Sequence, residues 1–349
     1  MSLKKTLFLI LPVFFASMIF TSVKAAETDE FRLTSSPLPI NLKVDPGSSI
    51  SAQIKIKNDG TKTENIKVGL MKFKADENTG APILLEREHG DDYFDWVSFS
   101  EDKFSLPANE WKTITANFNV PSTASFGYYY AVVFSRAEEN IQKGERQTVL
   151  TGGTATLVLL EAKVPNAKRE VSVETFSVNK KMFEFLPATF NIKLKNTGNV
   201  HIVPVGNIFI SRGDEQDIAI IDVNPNKGSI LPNSPRSFEE QWSDGFPFYT
   251  DKKADGKVVL DENGNAVKEL KWNFSEVSKL RWGKYTAKMV MIYNDGNIDV
   301  PVEGEVSFWV IPWRVIAGGL LVSIFVVIGL KSTLQKFYIR IKGFFSKNK

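Results

Sequence analysis

The stretch RWGKYTAKMV, Arg281 to Val290, alternates apolar and polar side chains with a period of two. One face carries Tyr285, Ala287 and Met289, whereas the residues between them are charged or polar. Because successive side chains of a strand point to opposite faces of a sheet, this pattern predicts a half-buried strand of an antiparallel sheet.

A related phrase occurs earlier in the chain. SFGYYYAVVF, Ser125 to Phe134, has the same skeleton, Gly-x-Tyr-x-Ala. By this alignment Tyr129 and Ala131 face inward, yet the intervening positions are apolar as well. We therefore expect the outer face of this strand to be covered or to form a contact surface, and Tyr128 and Tyr130 are candidate binding residues.

Two further echoes indicate a duplication. AQIKIKNDG (52–60) matches FNIKLKNTG (190–198), and SLPAN (105–109) matches ILPNS (230–234). The three phrases recur in the same order in both halves. The sequence therefore predicts two similar units, joined near a Pro-containing linker at 164–168.

Helical periodicity is nearly absent from both units, and short alternating runs with turn signals between them are typical of β-sandwiches. Gly-x-Tyr-x-Ala resembles the immunoglobulin-type strand Gly-x-Tyr-x-Cys, with Ala131 and Ala287 at the cysteine positions. The resemblance implies packing roles for Tyr129 and Tyr285. The predicted fold class is all-β, with two tandem immunoglobulin-like β-sandwich domains plus a C-terminal transmembrane helix.

Both ends of the chain carry targeting signals. Lys4 and Lys5, a short apolar run and Val23-Lys24-Ala25 are typical of a secretory signal peptide that is cut after Ala25. The predicted segments are a signal peptide over 1–25, a first sandwich over 26–164, a second sandwich over 168–309 with an inserted hairpin at about 244–280, a transmembrane helix over 310–330 and a basic cytoplasmic tail over 331–349.

The predicted transmembrane helix is apolar apart from Arg314 and is flanked by Trp309 and Trp313. About 21 residues at 1.5 Å each span ~31 Å, which matches the hydrocarbon core of a bilayer. The tail that follows holds basic residues and no acidic one. By the positive-inside rule we expect a single-pass protein of the cell membrane with its N-terminal ectodomain outside and its tail in the cytoplasm.

Charge and cysteine content exclude several functions. Without the basic residues of the signal peptide, Arg314 and the tail, 33 of the 43 Lys and Arg remain against all 40 Asp and Glu. An acidic ectodomain is a poor nucleic-acid binder, since such binding depends on basic residues that contact phosphates. The chain has no cysteine, so its stability depends on core burial, without disulfides.

The sequence contains no catalytic constellation. The two histidines, His89 and His201, lie outside any recognisable nucleophile motif. We expect no enzymatic activity and no cofactor. Calcium is an alternative at the acidic run 86–95, where Asp91, Asp92 and Asp95 offer clustered oxygens. The run lacks the spacing of an EF-hand, and a solvated loop is the other interpretation.

Aromatic residues are frequent in the second unit. Trp242, Trp272 and Trp282 are candidate binding residues, together with neighbouring Phe and Tyr at 246–249. Aromatic rings on a sandwich can stack on sugars, which predicts glycan binding. The alternative is that these side chains pack in the core or in the hairpin.

The order of the segments also resembles a known family. Val44-Asp45-Pro46-Gly47 leads into an alternating strand and a Lys-Asn-x-Gly turn, followed by Trp96-Val97, Leu106-Pro107 and Val120-Pro121. This arrangement is similar to the WxL-interacting surface proteins of Gram-positive bacteria, which add a second sandwich, one transmembrane helix and a basic tail. The resemblance implies a surface binder whose first domain faces cell-wall peptidoglycan and whose second faces a partner protein or a host surface.

The sequence thus predicts a non-catalytic, membrane-anchored surface protein that binds a cell-envelope component or a surface protein. A carbohydrate-binding module and an accessory subunit of a membrane complex are the alternatives. In the latter, Gly318 and Gly319 would allow another helix to approach closely.

Overall fold

The computed structural model describes residues 31–137, 142–143, 148–149 and 153–346. This part is mostly β-structure and ends in one long apolar helix, which confirms the all-β part of the predicted fold class. The predicted signal peptide, residues 1–25, lies outside the described residues, as do Lys347 and Lys349 of the predicted tail.

The first half of the chain forms two sheets packed around one hydrophobic core. Its strands are β1 (Leu33–Ser36), β2 (Ile40–Val44), β3 (Ser49–Asn58), β4 (Glu64–Ala75), β5 (Pro82–Leu85), β6 (Val97–Phe99), β7 (Lys103–Leu106), β8 (Trp111–Asn119), β9 (Phe126–Arg136), β10 (Gln142–Lys143), β11 (Thr148–Val149) and β12 (Thr154–Ala162). One sheet has the order β1-β3-β8-β6, and the other has the order β2-β12-β9-β4-β5 with β7 paired to β4. We call this pair of sheets the first sandwich. A short 3₁₀ helix, Asp92–Trp96, precedes β6.

Alternation of apolar and polar residues places the core of the first sandwich. In β3, Ile54 and Ile56 are fully buried while the lysines between and after them face solvent. From the other sheet, Tyr130 and Phe134 of β9 are buried in the same cluster. Full burial of an apolar side chain of this size stabilises the fold by roughly 1.5–3 kcal/mol.

The second half repeats this plan. Its strands are β13 (Val171–Val178), β14 (Met182–Phe183), β15 (Ala188–Asn196), β16 (Val205–Arg212), β17 (Glu215–Val223), β18 (Pro235–Trp242), β19 (Phe248–Asp251), β20 (Lys253–Ala254), β21 (Lys257–Val258), β22 (Lys268–Lys271), β23 (Gly283–Asn294) and β24 (Asp299–Val310). Sheets of order β13-β15-β18 and β14-β24-β23-β16-β17 enclose a second core and form the second sandwich. Tyr285, Ala287 and Met289 of β23 are fully buried there, as the alternation predicts.

The insertion between β18 and β23 consists of short paired strands. β19 pairs with β22, and β20 pairs with β21. A bridge between Leu260 and Ala266 flanks the turn at 261–265, where the Asp261 carboxylate accepts the backbone N–H groups of Asn263 and Asn265. A second 3₁₀ helix, Phe274–Lys279, leads back towards β23.

The two Gly-x-Tyr-x-Ala phrases do not occupy equivalent positions, which corrects the predicted alignment. In β9, Tyr130, Val132 and Phe134 face the core of the first sandwich. Tyr129 and Ala131, predicted to face inward, belong instead to a separate apolar cluster on the opposite face of the sheet. A slip of one residue exchanges the two faces of a strand, so Tyr130 rather than Tyr129 corresponds to Tyr285.

The Leu-Pro echo also shifts by one residue. The side-chain amide of Asn58 donates to the carbonyl of Leu106, and that of Asn196 donates to the carbonyl of Ile230. Leu106 therefore corresponds to Ile230 and not to Leu231. This shift leaves Leu231 outside the second core and free to contact the first sandwich.

The helix α1 runs from Trp313 to Ser346. Its first 25 residues, Trp313–Phe337, are mostly apolar and none of them is buried, and their length is sufficient to cross a membrane. The helix begins three residues after the predicted boundary at 310 and continues through residues 331–346 of the predicted tail. Arg314 lies 3.3 Å (Nε to Oε1) from Glu184, which ties the start of the helix to the second sandwich.

Candidate functional site: a cleft between the two sandwiches

The outer face of the sheet β2-β12-β9-β4-β5 is apolar and is covered in part by the second half of the chain. Phe73, Ala131, Val133 and Leu159 form one buried cluster with Leu231, which follows the bridge at Ile230. This contact explains why β9 is apolar on both faces, and it confirms the prediction that its outer face is covered. The contact divides the space between the sandwiches into two openings.

Polar contacts hold the sandwiches together at this contact. The backbone N–H of Ser237 donates to the carbonyl of Glu77 at 2.9 Å, which links β18 to the turn between β4 and β5. The buried Glu161 of β12 pairs with Arg169, just before β13. Tyr129 packs edge-on against His201 with ring centroids 5.9 Å apart.

His201 is partly buried in this contact, with its Nδ1 atom fully enclosed, and this burial lowers the pKa of its imidazole from 6.5 to about 4. The charge of Glu161 opposes this shift, whereas Arg169 and Lys43 add to it. Burial likewise raises the pKa of the Tyr129 hydroxyl above its ordinary value. Both rings therefore stay neutral near pH 7 and act as packing groups at the junction.

On one side of Leu231 lies a cavity of about 290 Å³. Its apolar lining comes from Leu38, Phe73 and Leu157 of the first sandwich and from Leu231 of the second, and Arg236 of β18 lies at its wall. The cavity is large enough for a few apolar side chains. The first sandwich lines it with apolar residues, whereas the second sandwich also supplies polar ones, among them Lys227 and the guanidinium of Arg236.

Arg236 has an unusual environment. Its Nη1 donates to the carbonyl of Ser229 at 2.9 Å, but its buried Nε has no hydrogen-bond partner among the described residues. Its guanidinium carbon lies 5.4 Å from the centroid of the Phe238 ring, and no carboxylate of the described residues forms an ion pair with it. Burial lowers the pKa of this guanidinium relative to its ordinary value. Such a group is a ready binding partner for an incoming carboxylate, because a guanidinium forms paired hydrogen bonds with both of its oxygens.

Two glycines give Arg236 its space. A Cβ atom at Gly80 would lie 2.5 Å from the guanidinium carbon, and one at Gly228 would lie 2.4 Å from Nη2. Gly80 also has a φ of +68°, which side chains rarely adopt. The guanidinium is thus held between a turn of the first sandwich and a loop of the second.

The opening on the other side of Leu231 has the opposite charge. It is a wider groove of about 800 Å³, lined by Asp76 and Glu77 from the turn between β4 and β5 and by Phe126 and Tyr129 from β9. The two openings thus share Leu231 and Phe73 but differ in the charge at their rims. A ligand that carries a carboxylate should therefore bind in the opening that contains Arg236.

The tyrosines predicted to bind lie elsewhere. Tyr130 is fully buried in the first core, where its hydroxyl donates to the carbonyl of Tyr93 at 3.1 Å. Tyr128 packs on Trp96 and accepts a hydrogen bond from the backbone of Ser125. The prediction is wrong for Tyr130, because β9 turns this residue inwards and closes it off from any ligand.

The three predicted tryptophans have different roles. Trp242 is 2% exposed and packs against Tyr285 and Phe308 in the second core, so the prediction of a binding role is wrong for this residue. Trp272 is 50% exposed and stacks with Phe274, and Trp282 is 62% exposed beside the start of β23. Trp272 and Trp282 therefore remain available on the surface.

The acidic run does not form a cation site. Asp91 accepts hydrogen bonds from Lys72, and Asp95 forms a two-pronged pair with Arg87 at 2.7 Å. Among the described residues there is no group of three His, Asp or Glu that could hold a metal ion. The structure therefore does not bring Asp91, Asp92 and Asp95 together as calcium ligands, because Lys72 engages Asp91 and Arg87 engages Asp95.

No protein-family model matches the chain, and no curated protein matches it. Several solved structures are similar to it. A class 5 fimbriae chaperone, CfaA, is 19% identical over 69% of this chain and 100% of its own, with a TM-score of 0.33. The Escherichia coli chaperone DraB is 11% identical over 78% of this chain and 96% of its own, with a TM-score of 0.31. A Porphyromonas gingivalis protein of unknown function is 12% identical over 78% of this chain and 99% of its own, with a TM-score of 0.25. TM-scores of this size do not establish a shared fold.

Proposed function

We propose that this chain is a non-catalytic, membrane-anchored protein of the cell envelope that binds a partner protein in the cleft between two immunoglobulin-like domains. The domains correspond to the first and second sandwiches, and α1 is the single membrane span. The observation that carries the proposal is Arg236, a partly buried guanidinium without a carboxylate partner among the described residues, at the wall of an apolar cavity.

The lining of the cavity favours a protein segment over a sugar chain. A polysaccharide carries hydroxyl groups on most of its surface, and burying them against Leu38, Phe73 and Leu157 without hydrogen bonds is costly. An extended protein segment can place apolar side chains in the cavity and a carboxylate on Arg236. A hydrogen bond between charged groups of this kind contributes about 1.5–3 kcal/mol.

The resemblance to WxL-interacting surface proteins supports the class of function, a surface-exposed binder. It also implies peptidoglycan as a ligand of the first domain. The cleft argues for a protein partner, and peptidoglycan binding remains the competing hypothesis. The proposal also includes secretion through a signal peptide and a cytoplasmic location of the tail. Both rest on the pattern of charged residues in the sequence.

A photo-crosslinking amino acid at the rim of the cleft tests the partner. Leu38 lies at the rim and is 58% exposed, and Ile220 on the edge strand β17 is 56% exposed and lies away from the cleft. In intact cells, full-length chain labelled at position 38 should form a discrete protein adduct that is absent with the label at 220. The adduct should disappear when Arg236→Met is introduced into the same chain, because a carboxylate of the partner protein then has no guanidinium to bind.

Two other results would contradict the proposal. Equal adducts from positions 38 and 220 would indicate nonspecific contact. Co-sedimentation of the full-length chain in detergent with purified sacculi, abolished by Trp272→Ala but not by Arg236→Met, would instead favour the carbohydrate-binding alternative.

A further inference from the structure

Most of the large apolar side chains exposed on the second sandwich lie at the end where the helix begins. Outside α1, the exposed set at this end is Met182, Trp272, Phe274, Val277, Trp282 and Trp309. Phe274 is the most exposed of them, at 71%. Exposed aromatic residues that are also contiguous indicate an interaction surface, whereas isolated ones do not.

Strand pairing fixes the position of three members of this set. β24 ends at Val310, two residues before Pro312 and the first turn of α1. Met182 pairs with Trp309, and Gly283 pairs with Val310, so Trp282 lies beside the last residue of β24. These three residues therefore lie at the junction between the sandwich and the helix.

Ring contacts connect the insertion to the same junction. Trp272 packs edge-on against Phe185, with ring centroids 6.4 Å apart, and it stacks with Phe274 at 6.1 Å. Phe185 directly follows Glu184, whose carboxylate pairs with Arg314 in the first turn of α1. The contact of Trp272 with Phe185 and the ion pair of the adjacent Glu184 with Arg314 therefore place the exposed rings of the insertion near the start of α1.

The opposite end of the sandwich differs. The turn between β23 and β24 exposes one large apolar side chain, Ile298, at 64%. Twelve residues of β24 separate this turn from the helix, or about 40 Å at 3.3 Å per residue. Ile298 is therefore a matched control of similar exposure at the far end of the same strand.

We propose that the surface formed by Met182, Trp272, Phe274, Val277, Trp282 and Trp309 inserts into the outer interface of the lipid bilayer that α1 spans. This inference rests on the proposed membrane span. Aromatic rings, and Trp above all, are favoured at the boundary between headgroups and acyl chains, where one edge contacts hydrocarbon and the other is hydrated. The exposed Lys271 directly precedes Trp272 and suits the phosphates of the headgroups.

The contact would hold the second sandwich against the membrane in addition to the connection through Pro312 and the pair of Arg314 with Glu184. The cleft then lies at a defined height above the bilayer, because the first sandwich is fixed to the second by Leu231 and by the pair of Glu161 with Arg169. An interfacial contact therefore fixes where a partner meets the protein.

The absence of cysteine allows a direct test on the full-length chain. Single cysteines are introduced by Phe274→Cys, Val277→Cys, Ile298→Cys and Val326→Cys, labelled with a nitroxide and reconstituted in nanodiscs of phosphatidylcholine and phosphatidylglycerol. Electron paramagnetic resonance then compares relaxation by oxygen, which concentrates in lipid, with relaxation by a water-soluble nickel chelate.

The inference predicts that the ratio of oxygen to nickel accessibility at 274 and 277 exceeds the ratio at 298 several-fold and approaches the ratio at 326. Ratios at 274 and 277 equal to that at 298, with 326 in lipid, would overturn the inference and leave the membrane span intact. A water-accessible label at 326 would overturn both.

Discussion

Asn58 and Asn196 occupy the same position in the two sandwiches, at the end of β3 and of β15. Both are fully buried, and the amide of each donates to two backbone carbonyls, of Lys62 and Leu106 in one case and of Val200 and Ile230 in the other. Each side-chain oxygen accepts the backbone N–H two residues on. The duplicated Lys-Asn-x-Gly phrase thus marks a turn that is closed by a buried amide.

Replacing either asparagine with alanine should destabilise its own sandwich. Asn196→Ala removes the hydrogen bonds of its side chain to the carbonyl of Val200 and to the N–H of Gly198, and it leaves the carbonyl of Ile230 with the N–H of Ile202 alone, which together costs roughly 2–4 kcal/mol. Hydrogen exchange read by mass spectrometry should show faster exchange in β15 and β18 of the full-length chain, while β3 and β8 stay protected. Asn294→Ala is the control, since Asn294 precedes a similar turn but is exposed. A uniform loss of protection in both sandwiches would show that they unfold as one unit.

The duplication was predictable from the sequence because its residues recur in order, but its register was not. GYYYAVVF is apolar at every position after the glycine, so alternation does not distinguish Tyr129 from Tyr130. The structure assigns Tyr130 to the core because its hydroxyl finds the carbonyl of Tyr93, 37 residues earlier. Such a contact depends on the fold and has no local signal.

The cleft was not predictable for the same reason. Arg236 resembles many other basic residues in a strand, and its significance lies in the missing carboxylate and in Gly80 and Gly228, which come from distant segments. The exposure of Trp272 and Trp282 was easier to predict, since both residues lie in polar stretches of the sequence. Trp242 follows Glu239-Glu240-Gln241, a polar stretch that gives no sign of its burial.

Arg236→Met should stabilise the chain while it abolishes partner binding. The guanidinium is partly buried, with one hydrogen bond and a contact with the Phe238 ring, and methionine can keep an apolar contact with that ring while it removes the cost of desolvating the charge, a gain of about 1 kcal/mol. Thermal unfolding should show a higher midpoint. Arg281→Met is the control and should lower the midpoint, because Arg281 makes two hydrogen bonds to Asp244. A lower midpoint for Arg236→Met would mean that the cavity needs the charge for its own stability.

His201 should make stability depend on pH below neutrality. Its pKa is about 4 in the folded chain against an ordinary value of 6.5, so between these values the unfolded chain binds the proton and the folded chain does not. Stability contributed by the neutral imidazole is therefore complete above pH 6.5 and is lost as the pH falls towards 4, by up to about 3 kcal/mol. The difference in unfolding free energy between the unchanged chain and His201→Gln should shrink over this window. A constant difference from pH 7 to pH 4.5 would contradict the assignment.

Leu231→Ala should loosen the junction without unfolding either sandwich. Leu231 belongs to neither sandwich core and buries its side chain against Phe73, Ala131 and Leu159, so its truncation removes roughly 1–2 kcal/mol from the contact alone. Nitroxides at Gln53→Cys and Ile220→Cys, one on each sandwich, report the distance between the halves of the full-length chain. The distance distribution should broaden in Leu231→Ala. Leu106→Ala, a truncation inside the first core, should lower the unfolding midpoint and leave the distribution narrow. An equally narrow distribution in both variants would show that Glu161 and Arg169, rather than Leu231, fix the two sandwiches to one another.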